Sequence, residues 1–186
     1  MIRAPASALS GLFLGLLAAT SADAQALSAL RGHNSDAPAD ISADRIELQD
    51  QADRAIFSGR VHATQGDLTM DAARMTVAYS RPPTPNADPQ INRIDASGGV
   101  TVTSPSERAQ GSYGIYDLNR RLITLIGNVT LTRAANTVRG ARLVIDLTSG
   151  RSTIDGSAVG GATAGKGGRV TGRFTVPQRA TTTPPR

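Results

Sequence analysis

The sequence predicts an all-β, antiparallel, elongated protein built from stacked repeats of 29 residues, and three observations predict it. The first is internal self-similarity. One short element opens on a small residue, at Ala43–Leu48, Ala72–Val77, Gly111–Tyr116 and Gly140–Ile145. A second, centred on glycine, alternates with it at Phe57–Val61, Ala96–Val100, Leu125–Val129 and Ile154–Ala158. The small residue precedes the glycine by 16 positions in three units, and each glycine precedes the next small residue by 13. In the remaining unit, 72 to 98, the spacing is 26, an insertion of ten residues seated in Arg81–Gln90, where four of the ten are proline. The second observation is apolar–polar alternation with period two inside both elements, the signature of a half-buried strand. The third is punctuation: turn-forming clusters separate the elements, and no proline falls within 39–81 or 106–176 to remove a ladder donor. Repetition at a fixed period of this size means a stacked architecture.

In chain order, Met1–Ala24 reads as a cleaved secretory signal peptide: Arg3, an apolar run over Leu9–Ala19, then Ala22-Asp-Ala24. A retained anchor is the alternative, but the run is short of the ~20 apolar residues a span needs. Residues 25–40 read as a flexible lead-in, 41–160 as the folded domain, and 161–186 as a Gly/Thr/Pro-rich tail. Within that tail, Arg169–Val176 has the pattern of one last, ragged strand.

The first strand turns Ile46 and Leu48 to one face and Arg45 and Glu47 to the other. Next come Phe57 and Val61 around Gly59, then Met75 and Val77. After the insertion, Ile94, Val100 and Val102 flank Gly98, and Gly114 and Tyr116 follow. Ile123, Leu125, Val129 and Leu131 surround Gly127, Leu143 and Ile145 follow, and Ile154 closes the series. By simple alternation each mid-strand glycine falls on the inward parity. Its recurrence predicts a strand that bends over a corner in every unit. Turns are expected at Thr64–Asp67, Ser104–Glu107, Asp117–Arg120 and Thr148–Arg151.

Chemistry is sparse. Of the two histidines, His33 lies in the lead-in and His62 on an outward strand position whose repeat equivalents are Thr101, Thr130 and Val159. No phosphate-cradling loop, nucleophile elbow or metal-ligand spacing occurs, so no catalytic residue, cofactor or metal site is expected. There are no cysteines, which excludes disulfides and thiolate metal sites. The net charge of +5 survives removal of residues 1–24, because Arg3 and Asp23 leave together. Phe57, Tyr79, Tyr113, Tyr116 and Phe174 are too scattered for a base-stacking platform, so no nucleic-acid partner is expected. The arginines either solubilise the surface or meet phosphorylated headgroups or an acidic partner.

Ala43–Leu48, Ala55–Val61, Asp67–Val77 and Gly127-Asn-Val129 together resemble the OstA/LptA family of lipopolysaccharide-transport proteins, over roughly residues 41–156. The resemblance implies a twisted β-jelly-roll, open along one side, whose interior holds lipid acyl chains, so that the inward residues named above would line a lipid groove. It implies a periplasmic bridge component that carries lipopolysaccharide from inner to outer membrane. It also implies end-to-end self-association and partners among inner-membrane-anchored and outer-membrane OstA-like proteins. Arg81–Gln90 and the Gly/Thr/Pro tail depart from the family pattern. The residues alone suit a second reading equally well, a self-assembling β-stack of the envelope with a dry core and no lipid ligand. A β-helical enzyme acting on polysaccharide is disfavoured by the missing acid pair.

Overall fold

A two-residue bulge in the middle of every other long strand sets the shape of the molecule. The computed structural model describes residue 30 and residues 33–84, 88–157 and 168–175. The expected signal peptide, residues 25–29 and 31–32 of the lead-in and most of the tail lie outside the described residues, as do 85–87 of the insertion and 158–160 of the last repeat. Ten strands form one antiparallel sheet: β1 (Asp40–Ser42), β2 (Arg45–Gln49), β3 (Arg54–Gln65), β4 (Leu68–Ser80), β5 (Gln90–Thr103), β6 (Glu107–Asp117), β7 (Leu122–Arg133), β8 (Asn136–Asp146), β9 (Arg151–Asp155) and β10 (Thr171–Arg173). Strands β3 to β8 pair strictly in sequence, as period-two segments joined by short turns must. The two ends are split: β1 and β2 both pair with β3, and β9 and β10 both pair with β8. The pattern read at Arg169–Val176 is therefore a strand over Thr171–Arg173.

At the bulges the register slips between Ser58 and Val61, Ser97 and Val100, and Ile126 and Val129. Gly98 has φ +84° and Gly127 φ +82°, and each is followed by a second positive-φ residue, Gly99 or Asn128. Two such residues oppose one on the neighbouring strand, which bends the bulged strand sharply. Every strand is thereby folded, and the sheet with it. One half-sheet holds β2, 54–58, 74–80, 90–97, 113–117, 122–126, 142–146 and β9. The other holds β1, 61–65, 68–72, 100–103, 107–111, 129–133, 136–140 and β10. Side chains of both halves meet in one apolar cluster, including Val61, Met75, Ala96, Val100, Ile123, Leu125, Val129, Leu143 and Ile145. The bends close one long side. The other long side lies between two rows of connections, at 50–53, 81–84 with 88–89, 118–121 and 147–150 on one rim and 66–67, 104–106 and 134–135 on the other.

The glycines differ from the alternation reading. They do not point into the interior: Gly98 is exposed and Gly59 and Gly127 half-exposed, because the bulge interrupts the alternation that placed them inward. A Cβ on Gly98 would lie 2.6 Å from the Cβ of exposed Ala73, and one on Gly127 2.9 Å from Ser112 Oγ, whose hydroxyl donates to the Gly127 carbonyl. Gly127→Leu is therefore expected to lower the unfolding free energy by roughly 1–3 kcal/mol through its positive φ and Ser112, not through overpacking of the core. A denaturant melt superimposable on wild type would contradict the corner assignment.

Candidate functional site

The inner face of the folded sheet is one apolar surface, and its residues come to it by cross-strand register. Phe57 pairs with Met75, Met75 with Ala96, Ala96 with Gly114, Gly114 with Leu125 and Leu125 with Leu143, a continuous inner row across six strands. Of the residues expected to line a groove, Val61, Met75, Val77, Ile94, Val100, Val102, Tyr116, Ile123, Leu125, Val129, Leu131, Leu143 and Ile145 are all buried in the common cluster. Phe57 and Ile154 are half-buried against it. The centre is thus filled by its own side chains.

Ile46 and Leu48 are the exceptions, 53% and 68% exposed. They hold the inner register, opposite Phe57 and Ala55, but among the described residues β2 is an edge strand with no strand paired beyond it. The inner face continues past them into a cavity of about 390 Å³. Its apolar wall includes Ile41, Leu48, Phe57, Val77 and Ile91, with Tyr79, Asp50 and Arg81 beside them. The insertion contributes to this mouth through Arg81 and Pro89. Arg81 is fixed over the Tyr79 ring, 5.8 Å from its centroid, and pairs with Asp50 at 3.1 Å and Asp53 at 3.3 Å. An apolar trough of this kind suits hydrocarbon against its wall, while the guanidinium at its rim is already met by two carboxylates.

Alternation missed several contributors. Leu68 and Met70 extend the inner row of β4 and were legible as period-two partners of Ala72. Ile56, outward by parity, is only 7% exposed between Glu47 and Thr76. Leu30 and Gln65 carried no signal at all. Gln65 sat in an expected turn, yet it ends β3 and is 5% exposed. It accepts a hydrogen bond from the Tyr116 hydroxyl at 2.8 Å, across the two half-sheets. Burial pushes the Tyr116 phenol above its ordinary pKa, so it remains the neutral donor that Gln65 needs.

The polar outer face does not assemble catalysis. Ser42, His62 and Asp71 stand side by side across β1, β3 and β4, and His62 Nδ1 lies 2.6 Å from Asp71 Oδ1. The Ser42 hydroxyl, however, donates to the His62 carbonyl at 3.4 Å rather than to its ring, and the pair is half-exposed on an open strand face. The hydroxyl is thus engaged with the backbone and not handed to the imidazole, as a nucleophile–base pair would require. Among the described residues no group of three or more His, Asp or Glu side chains could hold a metal.

Comparison with known proteins agrees with this geometry. LptH from Pseudomonas aeruginosa, described as the LptA-homologous periplasmic component of the lipopolysaccharide transport device, has a similar fold. Its TM-score is 0.65 at 17% identity, covering 77% of this chain and 99% of that one. An uncharacterised protein of Rhizobium meliloti is 33% identical over 157 residues, 81% of this chain and 83% of that protein. Residues 40–151 match the family described as "LptA/(LptD N-terminal domain) LPS transport protein". The chain therefore belongs to the LptA/LptD N-terminal family of lipopolysaccharide-transport proteins, which are carriers and not enzymes.

Proposed function

We propose that this protein carries lipopolysaccharide between the inner and outer membranes, holding acyl chains against the inner face of its folded sheet, as one unit of a head-to-tail bridge. On this reading residues 1–24 are a cleaved signal peptide, residues 41–160 are the transport domain, and the mature protein works in the periplasm. The observation that carries it is the inner apolar row running out to the open edge at Ile46 and Leu48, beside the cavity at that end. Each buried methylene of an acyl chain contributes ~0.8 kcal/mol, so a twelve-carbon chain offers about 9 kcal/mol before the cost of association. Hydrocarbon contact of that size requires no specific polar group. The edge at β2 faces an inner-membrane-anchored relative and the edge at β9 and β10 an outer-membrane one. Changing both Ile46 and Leu48 to serine is expected to weaken lipopolysaccharide binding at least about tenfold, ~1.4 kcal/mol. Stability should stay within about 0.5 kcal/mol, because both side chains are exposed. Unchanged affinity in equilibrium binding would remove the mouth from the account.

One observation favours a second reading. Met75, Ile123, Leu125, Leu143 and Ile145 are 0% exposed, so in this conformation the centre is a dry core. A self-assembling stack without lipid needs nothing more. Saturable lipopolysaccharide binding by the wild-type protein excludes that alternative.

A further inference from the structure

Residues 33–39, read from sequence as part of a flexible lead-in, are instead docked over the open long side of the folded sheet. Leu30 is 2% exposed and belongs to the apolar cluster. The His33 N–H donates to the Leu30 carbonyl at 3.2 Å, and Ala37 and Asp36 bond back to Asn34, which gives the segment a turn of its own. Gln65, on one rim, donates from Nε2 to the carbonyls of Ser35 at 3.0 Å and Ala37 at 2.8 Å. Its Oε1 lies 3.0 Å from His33 Nε2. From the opposite rim, Arg121 reaches the Asp36 carboxylate at 3.0 Å, and the Tyr116 ring lies 6.4 Å from that of His33. The segment therefore spans both rims.

What holds it, among the described residues, is chiefly polar. Among the described residues it makes no ladder bonds to the sheet before Asp40. Its ion pair is exposed, 46% at Arg121 and 79% at Asp36, and exposed pairs stabilise little. Among the described residues before Asp40, Leu30 is its one side chain in the apolar cluster. Beneath it, an apolar void of about 20 Å³ lies between Leu68 and Met70 of one half-sheet and Ile94 and Tyr116 of the other. That space admits about one water and no chain.

We propose that Leu30 and residues 33–39 form a displaceable cover, in which Leu30 occupies a seat that a lipid acyl chain takes when the cover lifts. This rests on the reading of the inner face as a lipid surface. An acyl chain presents many methylenes where the cover presents one side chain, so hydrocarbon outcompetes Leu30. The freed Gln65 amide then faces the rim, where a headgroup hydroxyl or water can satisfy it. The cover would keep the inner face from water, and from other hydrophobic chains, until lipid arrives.

The protein has no cysteine, so two introduced thiols react without competition. In the mature full-length chain, Asp36→Cys with Arg121→Cys, joined by a short reducible bis-thiol linker, locks the cover down. Fluorescently labelled lipopolysaccharide is the probe. Capture by the locked protein is expected to fall at least about tenfold and to recover on reduction, while Leu30→Asp without any linker captures several-fold faster than wild type. Equal capture before and after reduction overturns the cover and leaves the lipid surface standing. Slower capture by Leu30→Asp, with its fold intact by circular dichroism, makes the segment a wall of the site and also overturns it. If no form captures lipopolysaccharide, the lipid reading itself fails, and the cover with it.

Discussion

Leu125→Ala is expected to lower the unfolding free energy by about 2–5 kcal/mol, the range for truncating a buried leucine to alanine. Leu125 is 0% exposed, in the middle strand of a side-chain cluster contributed by both half-sheets. It fills space that the sequence reserves for it. A Cβ on Gly114, its neighbour on β6, would lie 3.1 Å from Leu125 Cδ2 and 2.9 Å from Val100 Cγ1. Leu143 borders it on β8. Ladder bonds on both sides hold the backbone of β7, so the surroundings cannot collapse onto the vacancy and the cavity persists. Urea melts followed by circular dichroism measure the effect. A loss below about 1 kcal/mol would mean that the interior is loose enough to re-pack, contrary to its complete burial.

The second large effect concerns assembly. The Tyr79 N–H bonds to the Asp53 carbonyl at 3.0 Å, which turns Ala55 and Phe57 toward β4 and leaves Arg54, Ile56 and Ser58 for β2. By antiparallel alternation Arg45, Glu47 and Gln49 bond to β3, and Ile46 and Leu48 aim their N–H groups outward. At the other end the Leu147 N–H bonds to the Arg121 carbonyl at 3.0 Å, which sets Leu143 and Ile145 toward β7 and leaves Arg142, Val144 and Asp146 for β9. Ser152 and Ile154 then face away from β8. Unlike edges that pair head to tail do not close on themselves, so they build a series. Ile46→Pro and Ile154→Pro each delete an outward donor, and each is expected to leave a folded protein that has lost association at one end. The self-association constant should weaken at least about tenfold, ~1.4 kcal/mol. Glu47→Pro is the control, since it breaks a bond within the sheet and should destabilise the protein itself. Sedimentation of either edge variant indistinguishable from wild type would exclude edge pairing as the mode of assembly.

The strands were legible in the sequence because their cause is local. Period two places Met75 and Val77, or Ile123 and Leu125, on one face whatever lies across from them, and the 29-residue repeat confirms each assignment three more times. The corner was legible as a position but not as a direction. A bulge of two positive-φ residues resets the alternation, so Gly98 and Gly127 sit on the corner rather than under it. Burial of the edge was not legible: Ile46 and Leu48 have the pattern of core residues, and they are exposed because, among the described residues, no strand is paired beyond β2. Nothing local marks the segment around Leu30 and His33–Ala39, or its partner Gln65. Their contacts bridge 28 to 32 residues of sequence and exist only once the sheet has folded.

Site-specific photo-crosslinking tests the central claim most directly. A photoreactive residue is placed in turn at Phe57, Val100 and Leu125 on the inner face and at Ser58, Thr101 and Thr130 on the outer face. The cells are irradiated and the products probed for lipopolysaccharide. The account predicts adducts from the inner set alone, with Phe57 strongest because it borders the open mouth. Equal labelling of the two sets, or labelling from the outer set only, would contradict transport along the interior of the folded sheet.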